Sequence, residues 1–194
     1  MANEGLIYFR DGELIVDTGS ARVYRMNDEL FLEIGDGHTL WALESELKDY
    51  TYQLRDLPKG DCLEIGLGLG VASRYLLSFP QVNHLTTVEL NKDVIDAHAQ
   101  IPEDTRKYPM DYDPTKHRIL NADGLEYMYQ TNKKYDFIFI DCYDRIDEET
   151  LPLIADIVAA SARILKTGGE MVGWLDDHTP EVYALAFEQI FASV

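Results

Sequence analysis

The chain has 194 residues, the length of one domain, and its 46% hydrophobic and 27% charged residues are typical of a globular protein. Its formal net charge of −18, from 35 acidic and 17 basic residues, disfavours a nucleic-acid partner and favours cationic ligands such as amines. The apolar runs are shorter than the roughly 20 residues that span a membrane, the first residues do not resemble a signal peptide, and two cysteines make no disulfide framework, so we expect a cytoplasmic protein without a membrane partner.

The first forty residues predict a small antiparallel appendage of two β-hairpins. Each hairpin has two short apolar runs around a turn, with Asp11-Gly12 between residues 6–9 and 13–16, and Asn27-Asp28 between residues 22–26 and 29–34. From Trp41 to Leu57, apolar residues recur at steps of three and four, which predicts an amphipathic helix that Pro58 ends.

Beyond this helix, short apolar runs alternate with helical segments. Strands are predicted at residues 62–65, 85–88, 117–120, 137–140 and 171–175, and helices at residues 71–79, 91–101, 124–130, 148–165 and 180–191. Residues 102–115 contain three prolines and predict a surface loop. The alternation predicts a doubly wound, mostly parallel α/β sheet that binds a ligand at the carboxyl ends of its strands.

The clearest functional signal is the glycine-rich stretch after the first of these strands. Gly66, Gly68 and Gly70 alternate with other residues before a helix begins, which lets a ligand approach bare backbone amides. Glu89 ends the next strand, where a carboxylate can reach ribose hydroxyls, and Asp123 precedes a helix that it could also cap. These positions predict a nucleotide-type site.

Glu64-x-Gly66-x-Gly68-x-Gly70 resembles the first motif of class I S-adenosylmethionine-dependent methyltransferases. Glu89 matches the ribose-binding acid of that family, residues 121–124 match its adenine segment, and residues 135–141 match its fourth strand. The resemblance implies that S-adenosylmethionine, or its decarboxylated form, is bound by ten residues: Glu64, Gly66, Gly68, Gly70, Glu89, Leu90, Asn91, Asp123, Gly124 and Asp141.

The same resemblance implies a Rossmann-like domain over residues 41–194, preceded by the hairpin appendage over residues 1–40. That family has seven strands in its sheet, and the sixth and seventh find no room here, so we expect a fold shortened at its C-terminus. The open sheet edge would need a cover, which the hairpins or a homodimer could provide.

Asp141-Cys142-Tyr143-Asp144 resembles the segment of spermidine synthases that carries the acid deprotonating an attacking amine. This resemblance implies catalytic roles for Asp141, Tyr143 and Asp144, and it places residues 36–52 at the entrance of the site. Leu67 and Leu69, however, stand where those synthases bind an aminopropyl amine through an aspartate. We therefore expect methyl transfer to an unidentified small-molecule acceptor, with aminopropyl transfer to a polyamine as the alternative.

Two further alternatives stay open. A non-catalytic nucleoside-binding module would keep the cofactor residues without transfer. A metal-dependent O-methyltransferase would use Asp141 with Asp176 or Asp177 for a cation such as Mg²⁺. The histidines show no metal-ligand spacing, and we predict no metal site.

Overall fold

A computed structural model describes residues 11–35, 39–107, 112–143, 145–175 and 179–192. Its first part is a four-stranded antiparallel sheet, the N-terminal sheet, in the order β1 (Glu13–Asp17), β2 (Ala21–Met26), β3 (Glu29–Ile34) and β4 (Thr39–Leu43). Asn27 and Asp28 both have positive φ and join β2 to β3, which confirms the second hairpin. The predicted strand at residues 6–9 lies outside the described residues, and residues 13–17 pair with β2.

The amphipathic helix begins later than the sequence predicts. Thr39–Leu43 pairs with β3 as a strand, a short 3₁₀ turn covers Glu44–Glu46, and α1 spans Leu47–Leu54. The Glu44 carboxylate fixes the turn by accepting from the backbone N–H groups of Leu30 and Lys107, at 3.2 and 2.6 Å. The N-terminal sheet therefore continues past residue 40, and the domain boundary between residues 40 and 41 stays a prediction.

The rest of the described chain forms the predicted doubly wound, Rossmann-like domain. The main sheet has five parallel strands in the order β7-β6-β5-β8-β9, with bounds Gly60–Ile65 (β5), Val82–Glu89 (β6), His117–Asn121 (β7), Tyr135–Ile140 (β8) and Leu165–Gly173 (β9). Its helices are α2 (Val71–Ser78), α3 (Lys92–Gln100), α4 (Gly124–Gln130), α5 (Leu151–Ile164) and α6 (Glu181–Phe191). This α/β architecture confirms the predicted fold class.

Two cores cover the two faces of the main sheet. Phe137 and Phe139 on β8 pack towards α2, α3 and the N-terminal sheet, while Ile138 and Ile140 pack towards α5. The alternation along β8 produces this division because successive side chains of a strand point to opposite faces. Among the described helices, none has the length and apolar content required to cross a bilayer.

The N-terminal sheet is fastened to the first turn of α3. The Thr18 hydroxyl donates to the Asp93 carbonyl at 2.8 Å, and the Ser20 hydroxyl and N–H donate to the Asp93 carboxylate at 2.6 and 3.0 Å. In the described residues this sheet pairs with neither edge of the main sheet, so its described strands do not extend that sheet at an edge. Strands β1 and β2 instead contact α3.

Candidate functional site

A cavity of about 350 Å³ lies at the carboxyl ends of β5, β6 and β8, where the strand order reverses. Of the ten predicted ligand-binding residues, eight line it: Gly66, Gly68, Glu89, Leu90, Asn91, Asp123, Gly124 and Asp141. The N-terminal sheet contributes Leu32, Ile34, Trp41 and Ala42 from β3 and β4. The fold therefore brings most of the predicted site into one place, and it leaves Glu64 and Gly70 out of the lining.

The glycine turn, residues 66–70, packs closely against the Asp141 backbone and against the side chains of His98 and Arg106. Gly66 has φ +97°, and a Cβ there would lie 1.9 Å from the Asp141 carbonyl oxygen. The Leu69 carbonyl accepts from Arg106 Nη1 at 2.9 Å and lies 3.2 Å from His98 Nδ1. Burial and the neighbouring Arg106 lower the pKa of His98 to about 3, so the imidazole is neutral. These contacts fix the backbone of the turn before any ligand binds.

Two of the cavity acids also organise local backbone. The Glu89 carboxylate accepts from the N–H groups of Leu67 at 2.9 Å and Asn91 at 2.7 Å, so it joins the glycine turn to the start of α3. Asp123 caps α4 by accepting from the Glu126 N–H at 2.8 Å. A carboxylate has about four acceptor sites. Both acids can therefore keep these bonds and still accept from ligand hydroxyl or amine groups.

Glu64 does not face the cavity. It is 1% exposed, and its Oε2 accepts from the hydroxyls of Ser73 and Thr87, both at 2.5 Å. Burial raises the pKa of this carboxyl to about 8, against the lowering effect of the two hydroxyls. These contacts tie β5 to α2 and β6, which is a structural role, and cofactor binding by Glu64 stays a prediction.

At the predicted catalytic residue Asp141, the Tyr50 hydroxyl lies between two carboxyl groups, those of Asp141 and Glu46. Asp141 follows β8, and the Tyr50 hydroxyl donates to its Oδ2 at 2.8 Å while lying 3.2 Å from Glu46 Oε2. Burial raises the pKa of Asp141 to about 6, opposed by the bond from Tyr50. Burial, followed by the charge of Asp141, raises the pKa of Glu46 to about 8. At neutral pH the pair therefore holds about one proton.

The other two predicted catalytic residues are less favourable. Tyr143 lines the cavity, but its hydroxyl donates to the Trp174 carbonyl at 2.8 Å. Its one proton is therefore not free to bond a ligand. Asp144 lies outside the described residues.

Neither Glu46 nor Tyr50 is among the site residues predicted from the sequence. Tyr50 is indeed buried, with its ring edge-on to Phe139 at 5.6 Å, yet its hydroxyl reaches Asp141. The available signal was the spacing of Glu46 and Tyr50, which are four residues apart at the start of a helix and so share a face.

The charge of the cavity is one-sided. The described lining residues include four acids, Glu46, Glu89, Asp123 and Asp141, and no lysine, arginine or histidine. Such a lining suits a cationic ligand, because none of these four carboxylates has a positive partner among the described lining residues. Over the described ranges, no three His, Cys, Asp or Glu side chains come together as a metal site, and Asp176 and Asp177 lie outside those ranges.

Fold and cavity together define a Rossmann-like protein with a candidate ligand site at the carboxyl ends of its parallel strands. A model of the spermine/spermidine synthase domain matches residues 53–174, more than half of the chain. The chain therefore belongs to the spermine/spermidine synthase family, as its layout suggested.

Known proteins agree with this assignment. A polyamine aminopropyltransferase of Methanocaldococcus jannaschii is 33% identical over 84 residues, 43% of this chain and 28% of the relative. One from Pectobacterium carotovorum is 30% identical over 111 residues, 57% of this chain and 38% of the relative. The chain thus spans well under half the length of these relatives. The fold resembles a Thermotoga maritima spermidine synthase, with TM-score 0.70 and 18% identity over 90% of this chain and 60% of that one.

The family overturns the expected methyltransferase activity. That expectation was wrong because the glycine motif and Glu89, which suggested a methyltransferase, do not distinguish a methyl donor from an aminopropyl donor. Leu67 and Leu69, which decided the expectation, are buried, at 4% and 2% exposure, and line the cavity. They are a departure of this chain from the synthase pattern, and they do not outweigh a match over more than half of its length.

Proposed function

We propose that the protein transfers an aminopropyl group from decarboxylated S-adenosylmethionine to an amine acceptor. The observation that carries this proposal is the cavity with four acids and no base among its described lining residues, because both the sulfonium donor and the protonated acceptor are cations. Membership of the spermine/spermidine synthase family supports the same chemistry, and relatives that match part of the chain are named polyamine aminopropyltransferases.

In this proposal the nucleoside binds across the strand ends. Glu89 accepts from the ribose hydroxyls, Asp123 accepts from the adenine amine, and the glycine turn supports the chain that joins ribose to sulfur. Leu90 and Gly124, which also line the cavity, provide the flat contact for the base. These residues fix one substrate so that its reacting carbon points towards Asp141.

Asp141 then prepares the acceptor. Its carboxylate takes a proton from the acceptor ammonium, and the freed nitrogen lone pair forms a bond to the propyl carbon next to sulfur. The carbon–sulfur bond breaks, its electron pair stays on sulfur, and a neutral thioether leaves. Alignment of the two substrates in a site closed to water is the main contribution of the protein.

A nucleoside-binding module without transfer is the second candidate, favoured by Leu67 and Leu69 at the place where synthases carry an acid. Purified protein incubated with the decarboxylated donor and a panel of amines distinguishes the two. Formation of methylthioadenosine that depends on the amine supports transfer. Nucleoside binding in calorimetry, with no product from any amine, supports the module.

A homodimer and a cytoplasmic location complete the proposal. The long edge strand β9 has no partner on its outer side among the described residues, which favours pairing with a second copy. Light scattering that gives a monomer at every concentration would contradict the dimer. Fractionation of cells that express a tagged chain tests the location.

A further inference from the structure

The phenol of Tyr50 bridges two carboxyls that face the cavity from different elements. Glu46 ends the 3₁₀ turn before α1 and Asp141 follows β8, and the Tyr50 Oη lies 3.2 and 2.8 Å from them. Tyr50 is 4% exposed and its ring is held edge-on to Phe139, so the hydroxyl has little freedom to turn away. A phenol carries one proton, so it cannot donate fully to both acids at once.

The four cavity acids fall into two groups. Glu89 and Asp123 accept backbone N–H groups at the ends of helices. Glu46 and Asp141 instead face each other across Tyr50, and no lysine, arginine or histidine stands among the described residues of the lining to neutralise them. An ammonium has three N–H donors and one positive charge, which complements two carboxyl oxygens and a phenol oxygen.

We propose that Glu46 is a specificity-determining residue that, with Tyr50 and Asp141, forms the binding site for the acceptor ammonium. Asp141 accepts the proton, and Glu46 contributes to amine affinity. This inference rests on the proposed aminopropyl transfer, and it assigns a role to a residue outside the Asp141–Asp144 segment.

The raised pKa of Glu46 predicts a measurable property of this site, the release of a proton when an amine binds. The groups that act on its carboxyl are Asp141 after β8, and Tyr50 and Asp49 on α1, together with the Leu43 backbone. Burial and the Asp141 charge raise the pKa of Glu46 to about 8, so it is protonated at pH 7. A bound ammonium favours the ionised form, so we expect amine binding near pH 7 to release a proton from Glu46.

The test compares Glu46→Gln with Asp49→Asn, which removes a neighbouring acid that does not line the cavity. Putrescine, a linear aliphatic diamine, is titrated into the protein saturated with methylthioadenosine, in buffers of different ionisation enthalpy. We expect Glu46→Gln to weaken putrescine binding about tenfold, because the amide oxygen can still accept from the ammonium but carries no negative charge to pair with it. It should also abolish the proton release and leave methylthioadenosine affinity within about twofold. Asp49→Asn should keep the wild-type putrescine affinity and release somewhat fewer protons, because the Asp49 charge makes the smallest contribution to the raised pKa of Glu46.

Unchanged putrescine affinity and proton release in Glu46→Gln would overturn the inference. If that variant does not fold, Glu46→Asp, which keeps the charge but shortens the reach, should weaken putrescine alone, and equal weakening of methylthioadenosine would count against the proposal. Binding is measured apart from turnover. A wild-type protein that binds putrescine through Glu46 but forms no product would therefore refute the proposed transfer and leave this site standing.

Discussion

Replacing Asp141 by asparagine separates proton transfer from substrate binding. The backbone around residue 141 is fixed independently of the side chain, because its N–H donates to the Ile65 carbonyl at 2.9 Å and its carbonyl packs against Gly66. An asparagine oxygen can accept the Tyr50 hydroxyl as the carboxylate does at 2.8 Å. We therefore expect the fold and nucleoside affinity to be kept, and turnover to fall roughly a hundredfold, which is the usual cost of losing a positioned base.

The pH dependence of turnover provides an independent check of that variant. Asp141 has its pKa raised to about 6, so it is protonated below that pH and able to accept a proton above it. Wild-type turnover should rise through pH about 6, and Asp141→Asn should lose this rise. Stopped-time assays across pH 5 to 8, with calorimetry for the nucleoside, measure both effects. Loss of nucleoside affinity in a folded Asp141→Asn protein would refute the reasoning, since Asp141 would then belong to the donor site.

Three other substitutions test the donor site and its support. Glu89→Gln places an NH₂ group against the Leu67 or Asn91 N–H, so we expect nucleoside affinity in calorimetry to fall by roughly 1.5–3 kcal/mol; an unchanged affinity would argue against a ribose role. Gly66→Ala should lower the unfolding free energy by roughly 3 kcal/mol more than Gly35→Ala, since both have positive φ but a Cβ at Gly35 meets nothing within 4 Å; equal effects in denaturant titrations would contradict the clash. Glu64 has its pKa raised to about 8, so the native state holds a proton that the unfolded state releases, and stability should fall by up to about 1.4 kcal/mol per pH unit between pH 5 and 8. Glu64→Gln should flatten that fall, and a wild-type slope in the variant would show that another group titrates.

Local patterns were sufficient to predict much of the fold. Asn27-Asp28 marks a two-residue hairpin turn, and the structure gives both residues positive φ. The alternation of short apolar runs with helical segments predicts the five parallel strands, because each strand is covered on both faces. Glu89 ends a strand beside a glycine turn, and that position follows from chain order alone.

Contacts between residues far apart in the chain explain where the predicted elements and site differ from the structure. Residues 41–43 belong to the predicted helix, yet they form part of β4 because β3 offers an open edge. Likewise β9 begins at Leu165 rather than Met171, because Leu165 pairs with Tyr135 and ends α5 early. Tyr50 and Asp141 are 91 residues apart, so no local pattern could show that the phenol reaches the carboxylate.

The most direct test of the proposed function follows an isotope through the reaction. Decarboxylated S-adenosylmethionine is labelled in the propyl group in one sample and in the methyl group in another, and each is incubated with the protein and, in turn, with putrescine and the other amines of the panel. If the proposed function is correct, the propyl label moves into the amine and the methyl label stays with the nucleoside thioether, at a rate that falls in Asp141→Asn. A methyl label found in the amine, or no transfer of either label by protein that binds the donor, would contradict it.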